Sequence, residues 1–118
     1  MKFKFEDLII WQKGMDLGEE MNTMASNFPK EELYNLSSQL KRASDSIALN
    51  ISEGSILQSG PEFRKFLGYS IRSIAEVVTC LYKAKRRSYI NEEIFLKHYK
   101  DCFDLINMTI AFRNKIKN

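Results

Sequence analysis

Residues 33–51 read LYNLSSQLKRASDSIALNI, and their apolar positions decide the fold. Leu33, Leu36, Leu40, Ala43, Ile47 and Ile51 advance in steps of 3, 4, 3, 4 and 4. That is the period of one helix face packed on neighbouring helices, and it differs from the strict alternation of a half-buried strand. The spacing predicts a helix from about Lys30 to Glu53, with Gly54 placed to end it in left-handed backbone.

Working upstream, Asn27-Phe28-Pro29-Lys30 is a break, because the residue before a proline is pushed out of the α region. A first helix is expected from about Asp7, as N-cap, to about Ser26. Gly14 and Gly18 lie four apart on its face and suit a close helix approach. Downstream, residues 54–60 read as a loop, and Ser59-Gly60-Pro61-Glu62 reads as a capping box that opens a third helix. Phe63, Phe66, Leu67, Ser70, Ile74, Val77, Val78 and Leu81 share one face of it. Its end, near Lys85–Arg87, is cationic, which suits the negative pole of the helix dipole.

Asn91 is the next N-cap, with Glu92 and Glu93 in the first turn and Ile90 and Phe95 as a hydrophobic staple. The fourth helix runs to about Lys115. Its apolar residues, from Phe95 to Ile116, spread over about half the circumference, more than a helix packed on one side needs. A second subunit is the simplest cover for the excess. Four helices with short connections predict an all-α, antiparallel up-down-up-down four-helix bundle, one domain over residues 1–118.

Bulk properties narrow the function classes. The chain has 118 residues, 44% of them hydrophobic, as in a globular domain. Its longest apolar run is Leu8–Trp11, far short of the roughly 20 residues that span a bilayer. Met1-Lys2-Phe3-Lys4 leads into acidic residues with no signal-peptide core, so a cytoplasmic protein without membrane attachment is expected. Cys80 and Cys102 are not in a metal-type pair, and in a reducing compartment they serve as small hydrophobes. His98, the single histidine, has no ligand partner nearby in sequence, so no metal and no cofactor is expected. Net charge is +3, divided unevenly. Residues 1–62 hold six Lys/Arg and ten Asp/Glu, leaving −4, while residues 63–118 hold twelve and five, leaving +7. Such a field favours an anionic partner or head-to-tail self-association.

Phe5-Glu6-Asp7-Leu8 with Trp11-Gln12-Lys13 resembles the opening of the four-helix-bundle proteins encoded in intervening sequences of bacterial 23S rRNA genes. Phe28-Pro29-Lys30-Glu31-Glu32 looks like that family's first turn. Leu36 to Gln39, Arg42-Ala43, Ser46-Ile47 and Asn50-Ile51-Ser52-Glu53-Gly54 resemble its central signature. Phe63, Phe66-Leu67, Ser73 and Ala75-Glu76 match its third helix, and the fourth helix matches least. The resemblance implies a ring-like homopentamer and does not imply an enzyme. The link to rRNA genes suggests RNA or rRNA as a partner.

Three constellations bear on function. On a helical wheel Lys65, Arg72, Lys83 and Arg86 fall within about 60° of one another, with Glu76 nearby, a stripe roughly 30 Å long that could follow a phosphate backbone. The bland reading is a solvated face. The second set is Gln39, Arg42, Asn50 and Glu53 with Glu76, read as a structural network in which Arg42 bonds Glu53 or Glu76. No catalytic pair emerges, since Ser46 has no histidine partner and the adjacent carboxylates Glu19 and Glu20, or Glu92 and Glu93, point apart or serve caps. Third, Tyr69, Tyr82, Tyr89 and Tyr99 could stack on bases, although core and interface packing explains them more cheaply. The leading expectation is a non-enzymatic homo-oligomer that binds RNA or another nucleic acid. The alternative is a protein-interaction scaffold with no nucleic-acid role.

Overall fold

The computed structural model describes residues 1–57 and 59–117. Four helices follow one another: α1 (Ile9–Ser26), α2 (Leu36–Ser55), α3 (Gly60–Arg86) and α4 (Glu92–Lys115). They run up, down, up and down in a bundle of 45 × 24 × 22 Å, with no strand among the described residues. The α2 seam is the centre: Leu36, Leu40, Ile47 and Ile51 are fully buried with Met21 of α1, Leu67, Ile74, Val77 and Leu81 of α3, and Cys102 of α4. Gly14 and Gly18 do mark the close approach of α1 to α2. A Cβ at Gly14 would lie 3.3 Å from Ile47 Cγ2, and one at Gly18 would lie 3.6 Å from the Ser44 carbonyl oxygen.

The N-caps expected for α3 and α4 are formed, although among the described residues the Glu62 carboxylate does not complete the capping box at Ser59. Ser59 Oγ accepts from Glu62 N at 3.1 Å, and Asn91 Oδ1 accepts from Ile94 N at 2.9 Å. Ile90 and Phe95 are buried on either side of the second cap. α1 opens differently. Residues Lys4–Asp7 form a short 3-10 turn, so α1 begins at Ile9 and Asp7 is not its cap. Asp7 instead pairs with Lys2 at 2.8 Å, while Phe5 packs on Trp11 with ring centroids 5.2 Å apart.

The start of α2 is a larger correction. Lys30–Glu32 is a separate 3-10 turn, Asn35 leaves helical geometry at φ −127° and ψ −104°, and α2 begins only at Leu36. Leu33, counted in the apolar seam, is therefore exposed. The cause is Glu32, which is buried and turned inward. Its carboxylate accepts from Tyr89 Oη at 2.6 Å, Arg87 Nη1 at 2.9 Å, Asn35 Nδ2 at 3.0 Å and Leu36 N at 3.3 Å. Glu32 thus acts as the cap of α2, satisfying an orphan amide from outside the helix. The same carboxylate ties the α1–α2 connection to the α3–α4 turn.

The other end of α2 also differs. Gly54 remains helical, no described glycine has positive φ, and the helix continues to Ser55. Glycine is needed there for space, since a Cβ would stand 2.6 Å from Phe66 Cβ on α3.

The Tyr89 hydrogen bond holds the Glu32 carboxyl below its ordinary range, with the Leu36 amide, Arg87 and Asn35 adding to it against the opposing effect of burial. A depressed folded-state pKa contributes stability above the ordinary carboxylate pKa of about 4.3, and that contribution is lost as pH falls through the folded value. In urea unfolding between about pH 6 and pH 3, Glu32→Gln is expected to start with a lower midpoint and to lose less on acidification than the parent. Equal pH profiles for the two proteins would remove Glu32 from this role.

Candidate nucleic-acid interface

α3 is the longest element, with 27 residues, and its cations stand on the side turned away from Leu67, Ile74, Val77 and Leu81. Lys65, Arg72, Lys83 and Arg86 are all exposed. Among the described residues none of the four takes part in an ion pair. The neighbouring cations are different: Lys85 pairs with Glu92 at 2.7 Å and Arg87 with Glu32 at 2.9 Å.

The row divides between two grooves. Lys65 and Arg72 line one between α3 and α4, together with Arg64, Gly68, Tyr69 and Arg113. Two of its cations are held in place. Arg113 Nε donates to the Arg64 carbonyl oxygen at 2.9 Å, and Arg64 Nη1 donates to the Ile116 carbonyl oxygen at 3.5 Å. The Arg72 guanidinium lies 5.9 Å from the centre of the Tyr69 ring. Arg64 lies on α3 beside the stripe, and Arg113 is an addition that the wheel of one helix does not supply, because it arrives from α4. Lys83 lines the second groove, between α2 and α3, with Gln39, Arg42, Glu76 and Thr79. Arg86 lines neither groove.

The polar set is only partly brought together. Gln39, Arg42 and Glu76 share the second groove, but Asn50 turns back to donate to the Ser46 carbonyl oxygen at 2.8 Å. Arg42 makes no ion pair with Glu53 or Glu76 among the described residues. Glu53 is out of reach on geometric grounds, since three helical turns, roughly 16 Å of rise, separate the two along α2. Several of the hydrogen bonds that join the helices come from small hydroxyls, alongside Asn22 Nδ2 of α1, which donates to Asp45 Oδ1 of α2 at 2.8 Å. Ser46 and Ser73 bond each other across α2 and α3, Ser70 donates to the Ile47 carbonyl oxygen at 2.8 Å, and Ser37 donates to that of Ala25 at 3.0 Å.

The remaining aromatics serve packing. Tyr82, Phe95 and Tyr99 form an edge-on cluster between α3 and α4, and Tyr89 packs on Phe28 at 5.3 Å. Burial holds both thiols protonated, pushing Cys102 up to about 12 and Cys80 upward as well.

The α1–α4 seam is the most sparsely packed of those between adjacent helices. It brings His98 beside Glu20 of α1 and Asp101 of α4, which corrects the expectation that this histidine stands alone. Lys97 Nζ lies 3.2 Å from a carboxylate oxygen of each acid. Burial, more than the nearby Lys97 charge, lowers the His98 pKa and keeps the ring neutral near pH 7. On α4, Ile94, Leu96, Phe103 and Ile110 are exposed, in line with the wide apolar arc expected there.

Helix order, packing and surface define this chain as a four-helix-bundle protein with a cationic face on α3. The family model of the 23S rRNA-intervening sequence protein matches residues 6–111, and the chain belongs to that family. A solved structure from Bacteroides thetaiotaomicron, described as a protein of unknown function from the S23 ribosomal protein family, superposes with a TM-score of 0.84. It is 20% identical, and the match covers 91% of this chain and 96% of that one, so the likeness is one of fold. No curated protein matches the chain significantly. Among the described residues no helix is long and apolar enough to cross a membrane.

Proposed function

We propose that this protein is a non-enzymatic, cytoplasmic homo-oligomer that binds structured RNA by its phosphates through the cationic face of α3. The observation that carries the reading is the row Lys65, Arg72, Lys83 and Arg86, exposed and free of carboxylate partners among the described residues. Unpaired cations release condensed counterions from a phosphate backbone without first breaking an internal salt bridge. Arg64 and Arg113 widen the row into a groove. Membership in a family named for intervening sequences of 23S rRNA makes rRNA the first RNA to try. Self-association is supported by the exposed Leu96, Phe103 and Ile110 on α4, and the family resemblance points to five copies. Several copies of a weak phosphate site would bind one RNA with avidity.

The test is a fluorescence-anisotropy titration of nuclease-treated protein with a 23S rRNA hairpin and a DNA duplex over a range of salt. Saturable RNA binding is expected, with log K falling linearly in log salt at a slope of roughly −3 for about four phosphates. No binding at low salt would overturn the reading. It would favour the alternative of a protein-interaction scaffold, to which the same exposed α4 side chains are suited.

A further inference from the structure

The α1–α4 seam holds a second constellation, independent of the cationic face. One ligand atom each from Glu20, His98 and Asp101 all lie within 4.8 Å of one another. His98 and Asp101 are three apart on α4 and so share a face, while Glu20 comes across from α1. Two further observations set this group apart from an ordinary acidic surface. The His98 Nδ1 atom is shut off from solvent and has no hydrogen-bond partner among the described residues. Buried polar atoms are satisfied in the great majority of cases, so an unpartnered one calls for an explanation. The carboxylates, moreover, already gather a cation, because Lys97 Nζ is drawn to Glu20 and Asp101 together. The groove beside them adds Asp16 and Asp104 against Lys13, with Lys100 pairing Asp104 at 3.1 Å.

We propose that Glu20, His98 and Asp101 form a site for a divalent transition metal of the zinc class. One imidazole and two carboxylates match the nitrogen and oxygen donors that zinc, cobalt and nickel accept, whereas magnesium and calcium prefer all-oxygen shells. Three protein ligands leave a coordination position for water or for a group from a partner. Lys97 is the built-in competitor, and its ammonium must leave the carboxylates when the metal binds. A bound metal would clamp α4 to α1 along the seam where the bundle is most loosely joined.

Calorimetric titration of the purified full-length chain with ZnCl2, and separately with MgCl2, tests the site. Saturable zinc binding at one ion per chain is expected, with magnesium at least about tenfold weaker. His98→Ala and Glu20→Gln should each weaken zinc at least about tenfold. Glu20 is exposed, so the second variant keeps the test independent of any packing loss at His98. Lys97→Ala should bind zinc several-fold more tightly, a gain that a merely structural Lys97 would not produce. Parent-like binding in His98→Ala, absence of saturation, or loss of zinc only when Cys80 and Cys102 are replaced would each overturn the proposal.

Discussion

Ile47→Ala is expected to remove about 2–5 kcal/mol of stability, the range for emptying a fully packed isoleucine site. Three helices meet at this residue. Its side chain is completely buried, its Cγ2 faces Gly14 of α1, and its carbonyl oxygen receives the Ser70 hydroxyl of α3. The backbone around it is fixed by those neighbours, so the cavity cannot collapse cheaply. Domains of this size are stable by about 5–15 kcal/mol, so at mid-range about a third of the total is at stake. Urea unfolding followed by circular dichroism measures it. Leu49→Ala, two residues along on the exposed face of α2, is the comparison and should change stability by no more than about 0.5 kcal/mol. A cost below about 1 kcal/mol at Ile47 would mean that the seam is not where the bundle is held.

Neutralising Lys65, Arg72, Lys83 and Arg86 to glutamine together is expected to weaken RNA binding by at least about 100-fold near physiological salt. The salt slope should shrink by about one for each phosphate that the variant no longer neutralises. Because these side chains are exposed and unpaired among the described residues, the variant should unfold at nearly the parent's temperature. That separation matters, since it distinguishes a missing charge from a damaged fold. Lys97→Gln with Lys100→Gln removes charge from α4 instead and serves as the control, with RNA affinity expected to hold. Parent-like binding by the quadruple variant would place any RNA site elsewhere.

The bundle is readable in the sequence wherever local chemistry decides the structure. Ser59 and Asn91 cap helices within three residues of themselves, and both caps stand as expected. The step pattern of α2 marks its buried face from Leu36 to Ile51. The misses depend on residues far along the chain. Glu32 shortens α2 because Arg87 and Tyr89 reach it from 55 and 57 residues away. Gly54 reads as a helix stop, but its requirement comes from Phe66 on the next helix. The pairing of Arg42 with Glu53 fails on arithmetic that the helical rise already supplies. The cationic row is legible from the period of α3 alone, whereas its companion Arg113 sits in the last turn of α4, where a cation already suits the helix dipole. His98 reads as solitary because Glu20 lies about two thirds of the chain length away.

The two thiols give the molecule an internal clock. Cys102 is wholly buried on α4 and Cys80 nearly so on α3, and both are protonated in the folded chain. A reagent that attacks thiolate can reach them only during an opening of the bundle. Alkylation therefore proceeds at a pace set by how often the helices part, and comparing the two sites tells which pair parts first. Anything that fastens α4 in place, whether a neighbouring copy on its apolar arc or an ion in its seam with α1, would slow that clock at Cys102.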